Sequence, residues 1–360
     1  MPTRILITGG AGFVGSNLAC SFRDRYPETR VIALDNLKRR GSELNLRRMQ
    51  EAGVSFIHGD IRNPEDLTHV PPIDLLIECS AEPSVNAGYG DSPGYLLNTN
   101  IGGTINCLEL ARSRGADFLF LSSSRVYPIQ ALREIRLTET STRFEPELGW
   151  ESAGFSSKGI SEAFTLHGSR SLYGATKLAS ELLITEYNTM YGLRTIVNRC
   201  GVLTGPWQMG KVDQGFVVLW VARHLLGGKL EYFGWGGTGK QVRDILHIED
   251  LFNLLCLQLQ NMDQHSGETY NVGGGLNCSV SLQELTQLCL NVTQREANVG
   301  SVMQSPSADI PYYVSDCTKI MSATGWRPEK TLKDIVRDIV EWIISHQSEL
   351  LPILGQGAYR

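Results

Sequence analysis

A tyrosine and a lysine four residues apart, in Tyr173-Gly174-Ala175-Thr176-Lys177, form a pair able to move a proton. On a helix, positions i and i+4 share a face. An ammonium beside a phenol favours the phenolate and lowers the phenol pKa from its usual value of ~10. Two unit charges ~4 Å apart interact by ~4 kcal/mol at an effective dielectric of ~20. Such a tyrosine can take a proton from a substrate hydroxyl while hydride leaves the carbon that bears it. A hydroxyl to hold the reacting oxygen is expected nearby. Leu121-Ser122-Ser123-Ser124-Arg125-Val126-Tyr127 offers Ser123, at the end of a strand-like run. A plain turn serine is the other reading of that position.

A hydride needs an acceptor, and the N-terminus suggests one. Thr8-Gly9-Gly10-Ala11-Gly12-Phe13-Val14-Gly15 follows a short apolar strand and opens a helix. Gly9 permits a tight turn, Gly12 lets the backbone approach a pyrophosphate, and Gly15 lets helix and sheet pack closely. The first helical residues, Phe13 and Val14 among them, offer N–H groups and a positive dipole end to phosphates. The spacing is G-x-x-G-x-x-G. Asp35 ends the second strand and is followed by Asn36. A carboxylate there accepts from an adenosine ribose and repels a 2′-phosphate, which favours NAD over NADP. The basic run Lys38-Arg39-Arg40 pulls the other way, and a turn-forming Asp would look the same.

The elements that must position these residues alternate. Strands are expected at 4–8, 31–34, 54–58, 74–79, 118–122 and 194–198. Helices are expected at 13–25, 95–114 and 171–191. Strands alternating with helices imply right-handed βαβ units and an α/β fold, a Rossmann-type doubly wound parallel sheet. Between 128 and 168 the periodicity fades, and a loop that long is usually functional or mobile. Helices near 215–226, 248–260, 282–292 and 332–346 fall in a more mixed remainder. The expectation is a main lobe over residues 1–200 and a smaller, interleaved C-terminal lobe over 201–360.

Composition excludes other classes. Hydrophobic residues make up 42% of the 360, enough to bury a sizeable core. The net charge of −5 and the scattered basic residues give no nucleic-acid footprint. No apolar run reaches the ~20 residues of a membrane span, and no signal-peptide pattern opens the chain. The eight cysteines include no C-x-x-C, so reduced, mostly buried thiols and a cytoplasmic location are expected, with no metal site.

Together these motifs resemble the extended short-chain dehydrogenase/reductase family over nearly the whole chain. Gly59-Asp60-Ile61, Cys79-Ser80-Ala81-Glu82 and Asn100 resemble its further cofactor positions. Arg243-Asp244-Ile245-Leu246-His247-Ile248-Glu249-Asp250, Tyr270-Asn271-Val272-Gly273 and Gly325-Trp326-Arg327-Pro328 resemble its C-terminal lobe. The resemblance implies bound NAD held by Gly9, Gly12, Phe13, Val14, Gly15, Asp35, Asn36, Asp60, Ile61, Ser80, Ala81, Glu82, Asn100, Tyr173 and Lys177. It implies catalysis by Ser123, Tyr173 and Lys177, and a nucleotide-sugar substrate met by Ser84, Ser123, Gln208, Lys211, Gln214 and Arg243. Arg243 would touch a phosphate.

Arg170 to Glu181, Asn198 to Val202, Gly205 to Gly215 (including Val212 and Asp213) and Gly236 to Asp244 resemble a subgroup of epimerases. That subgroup acts at C2 of a CDP-3,6-dideoxyhexose through a transient 2-keto sugar. The departures are Ser123 in place of an expected Thr, Pro128 after Tyr127, and the loop 130–154. A dehydratase of the family carries an Asp-Glu pair after the catalytic hydroxyl. Ser124 and Arg125 stand there instead, and neither can eliminate water as a carboxylate pair does. Relatives also place a phosphate-binding Asn where this chain has Val202. A 4-epimerase of a UDP-, GDP- or CDP-sugar is the alternative, and an NAD-binding regulatory protein without turnover a lesser one. The family's two-helix interface implies a homodimer or homotetramer.

Overall fold

The computed structural model describes residues 1–211 and 214–355. Its large sheet has seven strands: β1 (Arg4–Thr8), β2 (Arg30–Asp35), β3 (Ser55–His58), β4 (Leu75–Glu78), β5 (Asp117–Ser123), β6 (Thr195–Cys200) and β7 (Glu268–Val272). Their order is β7-β6-β5-β4-β1-β2-β3. The pairs β1–β2, β1–β4, β2–β3 and β4–β5 are all parallel. This is the order in which a doubly wound sheet reverses between β1 and β4, leaving a crevice at the strands' C-terminal ends. Runs such as Leu75–Glu78 are buried throughout because both sheet faces are covered.

Helices α1 (Phe13–Arg25), α2 (Gly103–Arg114) and α3 (Leu172–Tyr191) belong to this sheet's unit. One face of α1 buries Leu18, Ala19 and Phe22, and Phe22 meets Phe252 edge-on at 5.0 Å. Leu108, Phe118, Phe120, Ile184 and Ile61 share one core cluster with Leu6 and Ile32. The helix expected over 95–114 is interrupted. A short helix (Gly94–Leu97) runs into a π-helical turn (Asn98–Gly102) before α2. Such one-turn expansions mark functional sites, and this one carries Asn100.

The chain crosses between two compact units several times. The first holds residues 1–126, 172–199 and 251–270, and the second holds 127–171, 200–250 and 271 onward. In the second unit the strand Val202–Thr204 runs parallel to Val242–His247, which pairs antiparallel with Ser279–Ser281. Helices α4 (Phe216–Leu226), α5 (Leu282–Thr293) and α6 (Leu332–Ser345) pack in this unit. Reciprocal caps at Ser281/Glu284 and Thr331/Asp334 start α5 and α6.

The segment expected as an unpatterned loop carries short elements. A helix (Ile129–Arg133), a hairpin (Leu137–Glu139 with Phe144–Pro146) and a two-residue pairing (Phe155–Ser156 with Gly159–Ile160) fill it. Lys240 Nζ donates to Thr140 O at 2.7 Å, Ser281 Oγ to Thr142 O at 2.7 Å, and Arg143 Nη2 to Ser279 Oγ at 3.1 Å. Strands of two or three residues have no period to read, so this order is invisible in the sequence.

Candidate active site

The glycine turn is built by close approach. Gly9 has φ +63°, and a Cβ there would lie 2.8 Å from the backbone of Cys79 and Ser80. A Cβ on Gly15 would collide with Gly9 O and lie 2.8 Å from Gly10 Cα. Gly10 N bonds Leu34 O at 3.0 Å, tying the turn to β2. Gly12 is the N-cap of α1 and supplies no side-chain acceptor. The start of α1, with Phe13 and Val14, is thus a cradle of backbone donors for an anion.

Asp35 is fixed at the rim of this cradle. Its Oδ2 accepts from Ala11 N at 3.1 Å and its Oδ1 from Leu37 N at 2.8 Å. Burial pushes this carboxyl up, while the amides of Leu37, Ala11 and Gly12 hold it down. Asn36 Nδ2 donates to Asp60 Oδ2 at 2.9 Å, and Arg62 Nη2 meets the same oxygen at 2.6 Å. Arg62 holds the Asp60 carboxyl down at about 2, with help from Asn36 and against some desolvation. Ile61 is different: its side chain lies in the core, where a Cβ on Gly103 would strike it. Only its backbone is left to face a cofactor.

The loop after β4 is held by Asn100. Glu82 N donates to Asn100 Oδ1 at 2.8 Å, and Asn100 Nδ2 lies 3.2 Å from Glu82 O and 3.1 Å from Thr176 Oγ1. The π-helical turn therefore links Glu82, and the loop of Ser80 and Ala81 that leads to it, to Thr176 of α3. Ser84 N contacts Glu82 Oε1 at 3.3 Å on the same loop.

Tyr173 and Lys177 stand in the first turns of α3, Tyr173 half-buried and Lys177 buried. Lys177 Nζ donates to Leu121 O of β5 at 2.9 Å and lies 4.2 Å from the centre of the Phe120 ring. Two residues on, Ser123 is half-buried and its Oγ accepts from Arg125 N at 3.1 Å. The end of β5 and the start of α3 thus share one end of the first unit with the glycine turn. An ion pair that the sequence reading passed over braces them. Arg199 Nη2 meets Glu181 Oε2 at 2.7 Å, both side chains buried, and Ser122 Oγ meets Glu181 Oε1 at 2.5 Å. Its signal was the spacing: Glu181 lies one i+4 step beyond Lys177.

The residues expected to meet a substrate's nucleotide lie in the second unit. Arg243 donates to Ile310 O at 2.7 Å and to Asp309 Oδ1 at 3.0 Å. Asp309 also accepts from Trp235 Nε1 at 2.9 Å, so Arg243 sits in a network rather than as an isolated cation. Gln208 is folded onto its own loop: Thr204 Oγ1 donates to its Oε1 at 2.9 Å, and its Nε2 donates to Leu203 O at 3.0 Å. Lys211 N and Gln214 O are bonded at 2.6 Å, and Val212 and Asp213 between them lie outside the described residues. Val202, half-buried, opens a strand of this unit. Among the described residues no group of His, Cys, Asp and Glu could hold a metal, and no helix is long and apolar enough to cross a membrane. None of the eight cysteines is in a disulfide, and six of them are buried.

The chain is similar to several known proteins. A model of the NAD dependent epimerase/dehydratase family matches residues 5–273. CDP-paratose 2-epimerase of Salmonella typhi is 32% identical over 355 residues, covering 95% of this chain and 99% of that protein. dTDP-glucose 4,6-dehydratase of Salmonella typhimurium is 27% identical, with 99% and 97% coverage. The solved UDP-glucose 4-epimerase of Thermotoga maritima, with UDP-glucose, superposes with a TM-score of 0.74 at 24% identity, covering 96% of this chain and 99% of its own.

Proposed function

Since this chain belongs to the NAD-dependent epimerase/dehydratase family, we propose that it epimerises a nucleotide sugar at C2, of the CDP-paratose to CDP-tyvelose type. The first unit is read as the NAD-binding part and the second as the sugar-nucleotide-binding part. The uncapped start of α1, the close approaches at Gly9 and Gly15, and the anchored Asp35 fit a dinucleotide. Bound NAD supplies a hydride acceptor that can later return the same hydride.

The chain's own residues handle the proton and the orientation. Tyr173 removes the proton from the sugar hydroxyl and gives it back after the sugar has turned. Lys177 favours the phenolate of Tyr173 through its charge. Ser123 hydrogen-bonds the oxygen that passes between hydroxyl and ketone. Arg243, Gln208, Lys211 and Gln214 hold the nucleotide diphosphate, and Ser84 is a further substrate contact. Anchoring one end while the other turns is what inversion requires.

The observation that carries epimerisation over dehydration is the pair after Ser123. Ser124 and Arg125 provide no carboxylate for water elimination. The relative named for 2-epimerisation favours C2 over C4. Reduced thiols favour a cytoplasmic enzyme. Apolar side chains left exposed on the α2 and α3 segments, among them Leu182 and Met190, favour a homodimer or homotetramer through those helices.

The test is incubation of the purified protein in D₂O with CDP-, GDP- and UDP-sugars, read by NMR. Inversion at C2 without deuterium at C2 is expected. Inversion only at C4 moves the assignment to the 4-epimerase reading, deuterium at C2 refutes return of the same hydride, and no conversion across the panel refutes this substrate class.

A further inference from the structure

Glu78 ends β4 and is fully buried, yet the chemistry above does not use it. Its register partner is Thr8 of β1, the residue before the glycine turn. Thr104 Oγ1, on α2, donates to Glu78 Oε1 at 2.7 Å. Thr104 also lies 2.8 Å from the carbonyl of Asn100, and Ser180 Oγ of α3 donates to that same carbonyl at 3.0 Å. The second carboxylate oxygen, Oε2, is buried without a hydrogen-bond partner among the described residues. A buried carboxylate with an idle oxygen is costly unless a charge compensates it.

The compensating charge comes from α3. Glu78 is the register partner of Phe120 on β5, and Lys177 Nζ lies 4.2 Å from the centre of that Phe120 ring and 2.9 Å from Leu121 O, so the cation stands beside the buried carboxylate. The other titratable group facing it is the Cys107 thiol of α2. Glu181, one turn further along α3, is engaged with Arg199. Lys177 is itself buried. Burial favours loss of an ammonium's proton, and a nearby carboxylate opposes that loss.

We propose that Glu78 is the buried counter-charge that keeps Lys177 an ammonium, and so a positioning residue that acts on Tyr173 through Lys177. This rests on the reading of Tyr173 and Lys177 as base and assisting cation. Desolvation pushes the Glu78 carboxyl up to about 7, against the pull of Lys177 and Thr104. The carboxylate is therefore ionised on the alkaline side, where Lys177 is nearest to losing its proton.

Glu78→Gln keeps the shape and the Thr104 contact and removes the charge. In holoenzyme labelled with ¹⁵N-lysine, the Nζ signal absent from Lys177→Met reports the titration of Lys177. Glu78→Gln is expected to lower that midpoint by about one pH unit or more, a tenfold loss of proton affinity. The alkaline limb of kcat should move down by the same interval, and Glu78→Asp should restore part of it. Should Glu78→Gln fail to fold, the comparison is made with Glu78→Asp alone, whose shorter reach should give a smaller fall in the same direction. A Lys177 midpoint that does not move in the variant that folds overturns the proposal. Failure of the base assignment is distinct: Tyr173→Phe with full turnover would refute that role, whereas the counter-charge is decided by the Nζ midpoint of Glu78→Gln against the unsubstituted enzyme.

Discussion

Cutting the brace between β5, α3 and β6 should loosen the end of the first unit that carries Ser123. Glu181→Ala removes a carboxylate that contacts Arg199 at 2.7 and 3.1 Å and Ser122 Oγ at 2.5 Å. The two side chains are only 6% and 7% exposed, so the remaining guanidinium cannot simply turn to solvent. Breaking a buried pair by removing one partner costs about 3–5 kcal/mol. The lost Ser122 hydrogen bond adds about 1 kcal/mol, and water entering the vacated space offsets part of the total. A net loss of about 3 kcal/mol corresponds to more than a hundredfold in the opening equilibrium. All six tryptophans lie in the second unit, so intrinsic tryptophan fluorescence is a poor reporter of the first. Amide hydrogen exchange of the β5 and β6 peptides reads the opening directly. Exchange there should quicken about a hundredfold in Glu181→Ala, and kcat should fall with it. The double variant Glu181→Leu/Arg199→Met, which leaves no buried charge, should recover most of the protection. Unchanged exchange in the single variant, or a double variant no better than the single, would refute the argument.

Other consequences can be measured separately. Gly15→Ala places a methyl against the Gly9 carbonyl and should cost the protein its NAD, read by absorbance and mass of the released cofactor; full cofactor content would sink the close-approach reading. Glu78 and Asp244 titrate high in the folded state, at about 7 and about 6, because burial disfavours their anions. For acids raised above their unfolded values, the stabilising contribution is complete below pH ~4 and is lost as pH rises through these folded values. Stability should therefore decline over that window, and Glu78→Gln or Asp244→Asn should flatten the decline in thermal unfolding. Leu182→Glu with Met190→Glu, on the exposed side of α3, should give a monomer in light scattering; an unchanged assembly would place the interface elsewhere.

Much of the first unit could be read from the residues because its signals are local. The glycines at 9, 12 and 15, the Asp at the end of β2, and the tyrosine and lysine four apart each announce an element and a role. Other features depend on partners distant in the chain. Asp309, which accepts from Arg243, lies 66 residues beyond it in a stretch without periodicity. The π-helical turn at Asn98–Gly102 leaves the apolar pattern of a helix intact, so no residue spacing marks the interruption. Ile61 looks like a cofactor residue by its neighbours Gly59 and Asp60, but its side chain fills the gap that Gly103 leaves open. The short hairpins between 127 and 171 are held by bonds to residues more than a hundred positions away.

The strand order also sets a timetable for synthesis. β5 is complete when Ser123 has been made, but its neighbour β6 begins only at Thr195, and β7 closes the sheet from Glu268. At translation rates of about 5–20 residues per second, the open edge of β5 waits roughly 4–15 s for its partner. An apolar strand with an unpaired edge is a template for pairing with another chain during that interval. Slower initiation, lower temperature or a chaperone that covers the nascent edge should raise the yield of folded enzyme, whereas added cofactor should help only once α3 has been made.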